Sequence, residues 1–305
     1  MKSWIALALV ATTAAAAAAA TPTTTQASSR PSSGPAHEAM ADLQLSPLVE
    51  KVPGGRIDWT RGEIFAVGSS PLQNDSGQAI DMAKRGARLI AARNAVLALG
   101  GIRSGPGGTF KSIQEGTLKV DAVLKDIEEV SSGLNSRGTR AVVRVRLPLY
   151  GVRGVLTISG MEVTPHPAAI ALGNAEGSTH VRTIVIDARG SGFRPCAFPR
   201  LVDSKKRLVH VAVRRDKGVV QPAALLATAG EDVALPPTAA GDLRNAKTTR
   251  LVLRAHIAKG GTIVLKESDV KLLGQVPRAA LLLREELVIV ADAPAPVNRD
   301  EVTVP

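Results

Sequence analysis

The residues of this 305-residue chain that could carry covalent or metal chemistry are five histidines, one cysteine and scattered serines and aspartates. His37, His166, His180, His210 and His256 show neither H-x-x-x-H nor H-E-x-x-H spacing, and a single Cys supplies no thiolate pair, so no metal site is expected. His210, flanked by Leu208 and Ala212 in an apolar run, reads as a hydrogen-bonded structural histidine. Cys196 lies in Phe193-Arg194-Pro195-Cys196-Ala197-Phe198 and reads as a small buried apolar residue rather than a nucleophile, since no base is identifiable for it. Gly105-Pro106-Gly107-Gly108 and Gly190-Ser191-Gly192 complete neither G-x-G-x-x-G nor a P-loop, so they read as turn glycines. Ser69, Ser70 and Ser191 sit at turns without a G-x-S-x-G elbow. Asp187 and Arg189 are spaced for an ion pair that locks a strand end, with Arg194 turned to solvent. These patterns nominate no catalytic residue and no cofactor, and the expectation is a protein that is not an enzyme.

One feature does stand out physically. Lys205, Lys206, Arg207, Arg214, Arg215 and Lys217 crowd into thirteen residues against one acid, Asp216, in a chain whose formal net charge is +11. The two cation groups flank an apolar strand, 207–213, and are expected at its two ends. They are the candidate binding residues for anionic lipid headgroups, lipopolysaccharide phosphates, acidic glycans or an acidic partner. Nucleic acid is disfavoured by the export signal described below and by the scarcity of aromatics, four Phe, two Trp and one Tyr, for base stacking. The competing reading is a solvated hairpin whose charge keeps a strand edge from aggregating.

These residues belong to a chain with a marked organisation. Residues 1–20 read as a signal peptide: Lys2 precedes an apolar stretch opening at Trp4, and Ala18-Ala19-Ala20 offers small residues for cleavage. An uncleaved anchor is the alternative. No Cys follows for lipid attachment and no later run of eighteen apolar residues exists. The expected location is therefore the periplasm or the outer-membrane periphery. Residues 21–54 begin with a run of Thr, Ser, Pro and Ala and are expected to form a disordered tether.

The fold class expected is α+β, as two small antiparallel-sheet domains, each with one or two helices. The first spans 55–158, the second, mostly β, spans 179–292. Residues 159–178 would link them and 293–305 would form a flexible tail. Both domains are basic, with 15 cations against 9 anions in the first and 19 against 11 in the second. In the first, 57–68 reads as a strand or hairpin, and 78–99 as a helix burying Ile80, Ala83, Ala87, Ile90 and Leu97 with Asn94 on the same stripe. Gly100-Gly101 would end that helix in left-handed geometry. Val120, Val123, Ile127 and Val130 suggest a shorter helix. Thr139–Leu147 alternates, with Ala141, Val143, Val145 and Leu147 inward and Arg140, Val142, Arg144 and Arg146 outward, and 151–159 is its expected partner strand. In the second domain, strands are expected at 181–187, 207–213, 250–256, 262–265 and 287–292. A short helix capped by Ser268 would cover 269–273, and 218–245 would be a long loop.

The run Gly62-Glu63-Ile64-Phe65-Ala66-Val67-Gly68, the segment 87–101 ending in a Gly turn, and the strand ending in Leu149-Tyr150-Gly151 resemble the exported FlgP-type flagellar outer-membrane lipoproteins and their LPP-twenty-like relatives. Thr183 to Leu201 (TIVIDARGSGFRPCAFPRL) resembles a companion segment in exported bacterial relatives. Two departures are plain: no acylatable Cys follows the signal, and Ser204-Lys205-Lys206-Arg207 replaces an acidic, Gly-rich turn. The resemblance implies residence in the envelope, self-assembly or assembly with other envelope proteins, and sometimes a flagellar or surface structure. It implies no catalytic residue.

Overall fold

The structure is a computed structural model that describes residues 35–105, 108–109, 125–159, 181, 183–230, 232–238, 250–276 and 287–294. The expected signal peptide, the first part of the tether, Val120 and Val123, most of the 159–178 linker and most of the tail lie outside these residues.

A Trp-bearing hairpin starts the first sheet. Strand β3 (Gly55–Asp58) turns through Gly62, at φ 70°, into β4 (Glu63–Pro71), with Gly62 N–H bonded to the Asp58 carbonyl at 2.7 Å. β4 pairs antiparallel with β8 (Arg140–Pro148) over nine register positions, from Glu63 opposite Pro148 to Pro71 opposite Arg140. With β2 (Val49–Val52) and β7 (Glu128–Leu134) the order is β2-β3-β4-β8-β7, antiparallel throughout. On β8 the alternation is as the sequence suggests: Ala141, Val143, Val145 and Leu147 are buried, and Arg144 is exposed on the other face.

Helix α2 (Gly77–Leu99) crosses this sheet, capped by Ser76, whose hydroxyl accepts from Ala79 N–H at 3.2 Å. Its buried face is Ala83, Ala87, Ala91, Ala95, Ala98 and Leu99. The expected stripe is thus rotated, because Ile90 and Leu97 lie at its exposed margin rather than in the core. Gly100 stays right-handed (φ −63°), and the chain leaves through tight turns in which Gly101 and Ile102 N–H bond the Ala98 and Leu99 carbonyls. Of the expected second helix the described residues keep Lys125 helical; Ile127 lies between it and β7, and Val130 lies within β7, so the stripe's end is an edge strand. Residues 151–159 form no partner strand. The turn at Gly151 (φ 93°) leads instead to the short helix α3 (Val155–Ile158), held by Thr157 Oγ donating to the Gly151 carbonyl at 2.7 Å.

The second sheet departs further from expectation. Strands β14 (Leu225–Thr228), β18 (Leu287–Ala291), β9 (Thr183–Asp187) and β15 (Arg250–Arg254) run parallel in that order, with β1 (Ser46–Pro47) antiparallel at one edge. Every residue of β9, β14 and β18 is buried, as continuous apolar strands covered on both faces require. A mixed sheet, β11 (Leu208–Val211), β10 (Arg200–Val202), β17 (Thr262–Val264) and β16 (Ile257–Lys259), follows, with β10 parallel to β17. The expected strand 207–213 is broken at Ala212, whose N–H turns to the Pro199 carbonyl, and continues as β12 (Val213–Asp216) in a hairpin with β13 (Val219–Pro222). The region expected as a loop, 218–245, thus holds β13 and β14. A further hairpin joins β5 (Arg103–Gly105) to β6 (Gly108–Thr109). Helix α4 (Glu267–Leu273) begins at Lys266 without a side-chain cap, and Ser268 Oγ instead meets the Asp269 carboxylate at 3.3 Å.

The tether ends sooner than expected. Helix α1 (Pro35–Asp42) precedes β1 and β2, and Met40, Leu45 and Leu48 are buried, since these apolar side chains find the parallel sheet and the Trp59 hairpin. The core likewise runs through the expected boundary. The described residues belong to one compact unit, and a single cluster joins Ile57, Trp59, Leu147 and Leu149 to Ile184, Leu201 and Ile289. Polar ties cross the same line. Leu48 N–H donates to Thr60 Oγ, which donates to the Leu226 carbonyl. Glu50 accepts from Trp59 Nε1 at 2.9 Å and from Arg103 at 2.6 Å, and Arg103 Nε reaches the Pro195 carbonyl at 2.9 Å. The fold is mixed α+β.

Candidate functional site

The candidate cations occupy two turns, not one patch. In the first, between β10 and β11, Asp203 N–H bonds the Arg207 carbonyl and Lys206 N–H bonds the Asp203 carbonyl. The Asp203 side chain accepts from Arg207 N–H at 2.7 Å and from its guanidinium at 2.6 Å. Burial would raise this carboxyl, but those donors and the Lys205 N–H outweigh it and hold it below the usual carboxylate range. Arg207 is therefore committed to the turn, while Lys205 and Lys206 project into solvent. Lys206 adopts φ 62°, unusual for a residue with a side chain.

The second turn closes the β12–β13 hairpin through Lys217 (φ 46°) and Gly218 (φ 84°), both left-handed as a two-residue hairpin turn prefers. Arg215 and Lys217 are exposed, and Arg215 Nε donates to the Gly218 carbonyl at 3.2 Å. Arg214 stands opposite Gln221 in the register. The structure brings Lys205 and Lys206 together and Arg215 and Lys217 together, and separates the two groups by the length of β11 and β12.

The other sequence candidates are structural. Asp187, buried at the end of β9, holds Arg189 bidentately at 2.9 Å on each oxygen, and that guanidinium also donates to the Gly230 and Val233 carbonyls. The hydrogen bonds to Asp187 push the Arg189 pKa up, so the guanidinium is a fixed cation that closes the carboxyl end of the sheet. Arg194 is exposed, as expected. Ser69 Oγ accepts from Arg140, and Ser191 Oγ donates to the Ala188 carbonyl. His210 is buried in β11. Cys196 is wholly buried, and burial pushes its thiol up to about 12. Among the described residues no three His, Cys, Asp or Glu side chains group as metal ligands, and no helix is long and apolar enough to cross a membrane.

What the sequence reading missed is the outer face of α2. Met82, Leu89, Ile90 and Leu97 are 60%, 73%, 40% and 50% exposed. Their spacing puts them on one side of the helix together with the exposed Arg93, while Gly86, at the margin of that side, packs against Ser70 of β4. The signal was present in the sequence, since alanines at 83, 87, 91 and 95 already form a complete i, i+4 stripe of their own. At the edge of the sheet that α2 covers, strand β7 is exposed along nearly its whole length, with Val130 and Leu134 open to solvent, and its Glu129 pairs with Arg88 of α2 at 3.9 Å.

No family model matches the chain, and no curated protein sequence matches it. The resemblance to FlgP-type and LPP-twenty-like proteins therefore rests on the residues quoted for it alone.

Proposed function

We propose that the chain is a non-enzymatic exported envelope protein that works by assembling, with itself or with other envelope proteins, in a flagellar or other surface structure. The observation that carries this reading is the apolar outer face of α2. Scattered exposed leucines are ordinary, but four large apolar side chains on one side of one helix, with Arg93 among them, form the kind of patch that contact surfaces use. Covering a side chain of this size yields about 1.5–3 kcal/mol, so four of them form a substantial part of an interface. Among the described residues nothing pairs with the outer edge of β7, which supports the same reading, because a free strand edge offers main-chain donors and acceptors to a neighbour. The export and envelope parts come from the signal-like N-terminus and the family resemblance. Light scattering on the purified chain tests assembly: a salt-stable oligomer of defined number supports it, and a strict monomer opposes it.

A second reading is a binding module for an anionic ligand, lipid headgroup or glycan, served by the 205–217 cations. Its support is that Lys205, Lys206, Arg215 and Lys217 are exposed, while Arg207 holds the turn that carries Lys205 and Lys206 in shape. Replacing those four by Ala, with Arg207 kept, would abolish retention on anionic vesicles without unfolding the protein. Undiminished retention would remove this reading.

A further inference from the structure

A cleft of about 520 Å³ opens at the carboxyl end of β15, between that strand and the start of α4. Arg254 is the last residue of β15 and His256 lies two beyond it. Lys266, Ser268 and Asp269 come from the entry to α4, and Pro237 forms a wall. The frame is fixed by the backbone. His256 N–H bonds the Val264 carbonyl at 2.9 Å, Thr238 N–H bonds the Val252 carbonyl at 2.8 Å, and Val252 N–H bonds Thr238 Oγ at 2.9 Å. Arg254, His256 and Lys266 are exposed. Lys266 lies within electrostatic reach of the Asp269 carboxylate, and among the described residues Arg254 and His256 stand in no ion pair, whereas Arg103, Arg146, Arg189, Arg207 and Arg250 are all paired.

We propose that this cleft binds the phosphate group of a phosphomonoester, with Arg254 and Lys266 as its counter-charges. Arg254 offers a planar fork to two oxygens, and Lys266 and His256 approach as further donors. Ser268 Oγ, which donates to the Asp269 carboxylate at 3.3 Å, lines the rim with it, and that carboxylate provides an acceptor for a hydroxyl of the attached polyol. A carboxylate would be satisfied by the arginine alone. A phosphomonoester carries about −1.5 to −2 charge and three acceptor oxygens, which suits the larger donor set. The volume falls in the usual range for a small-molecule site, about 300–1,000 Å³. The site shares no residue with the 205–217 cations or with α2, so it stands or falls separately from both readings above.

The test is calorimetric titration of the purified chain with glycerol 1-phosphate and with inorganic phosphate. Flotation with phosphatidic acid in phosphatidylcholine vesicles distinguishes a lipid headgroup from a free ester as the source. Saturable one-to-one binding is expected, weakened about tenfold or more by Arg254→Ala or by Lys266→Ala. Lys205→Ala with Lys217→Ala should leave it unchanged. Both cleft variants replace exposed side chains, and their thermal unfolding should match that of the parent. The inference is overturned if neither soluble phosphate nor vesicles bind, or if the cleft variants bind no more weakly than the Lys205→Ala, Lys217→Ala control.

Discussion

Gly68 of β4 lies directly beneath Ala87 and Ala91 of α2, so close that a Cβ at position 68 would overlap the Ala87 carbonyl oxygen and the Ala91 nitrogen. Backbone thus meets backbone, and Asn94 reinforces the contact by donating from its side-chain amide to the Val67 carbonyl at 2.7 Å. Over the stretch that faces Gly68 the buried helix residues are all alanine, Leu99 being buried only at the far end of the helix, and Met82, Leu89, Ile90 and Leu97 are left largely exposed. The tight packing below and the apolar surface above have one cause.

Gly68→Ala should therefore be costly despite its small size. The clash is with helix backbone, which cannot swing aside as a flexible side chain would, and overpacking of this kind costs about 1–3 kcal/mol. Urea unfolding should show a lower midpoint with an unchanged slope, the shift being that loss divided by the slope.

The two faces of α2 give a paired contrast. Ile90→Asp places a carboxylate at a position that is 40% exposed and should leave the fold intact, whereas Ala91→Asp buries it against β4 and should destabilise by about 3 kcal/mol or more. Circular dichroism melts of the two variants decide this. Unfolding by Ile90→Asp would restore the stripe that the larger side chains suggest.

That stripe shows where the sequence was legible and where it was not. Helix 77–99 and strand 140–148 stand out because their periodicity is local, and the Asp187–Arg189 pair was readable because both partners lie on one strand end. The buried face of α2 was not, because weighting by side-chain size favours Ile90 and Leu97 and cannot see that Gly68 brings the sheet too near for them. The parallel order of β14, β18, β9 and β15 depends on pairing between strands some sixty to a hundred residues apart, about which local alternation is silent. Strands β13 and β14 were hidden by their shortness and by Pro222. The Arg254–Lys266 cleft escaped notice because its cations come together only when α4 folds back past the end of β15.

Cys196 should be inert in the native protein. Burial raises its thiol to about 12, partly offset by a backbone hydrogen bond at Phe198 and the positive fields of Arg103 and Arg200. A thiol reagent such as dithiobis-nitrobenzoate should give no reaction at about pH 8, where a free thiol reacts readily, and one equivalent after unfolding in guanidinium. Rapid native labelling would contradict the assigned burial.

The Asp203 turn should be sensitive to acid. Its folded pKa lies below the unfolded value of about 3.9, so its contribution is fully present above that pH and is lost as pH falls through the folded value. The stability gap between the parent and Asp203→Asn should be constant from about pH 5 to 7 and close below about pH 4. Denaturant titrations of both proteins across that range measure it. A gap that widens in acid would reverse the assigned direction.

The most direct test of the central claim is the native mass of the chain by light scattering at about 0.1 M and about 1 M salt, for the parent and for Leu89→Lys. Assembly through the outer face of α2 predicts a parent oligomer of defined number that persists at both salts, and a folded Leu89→Lys protein that falls to monomer. A parent that is monomeric at both salts, or an oligomer that Leu89→Lys leaves unchanged, would contradict it.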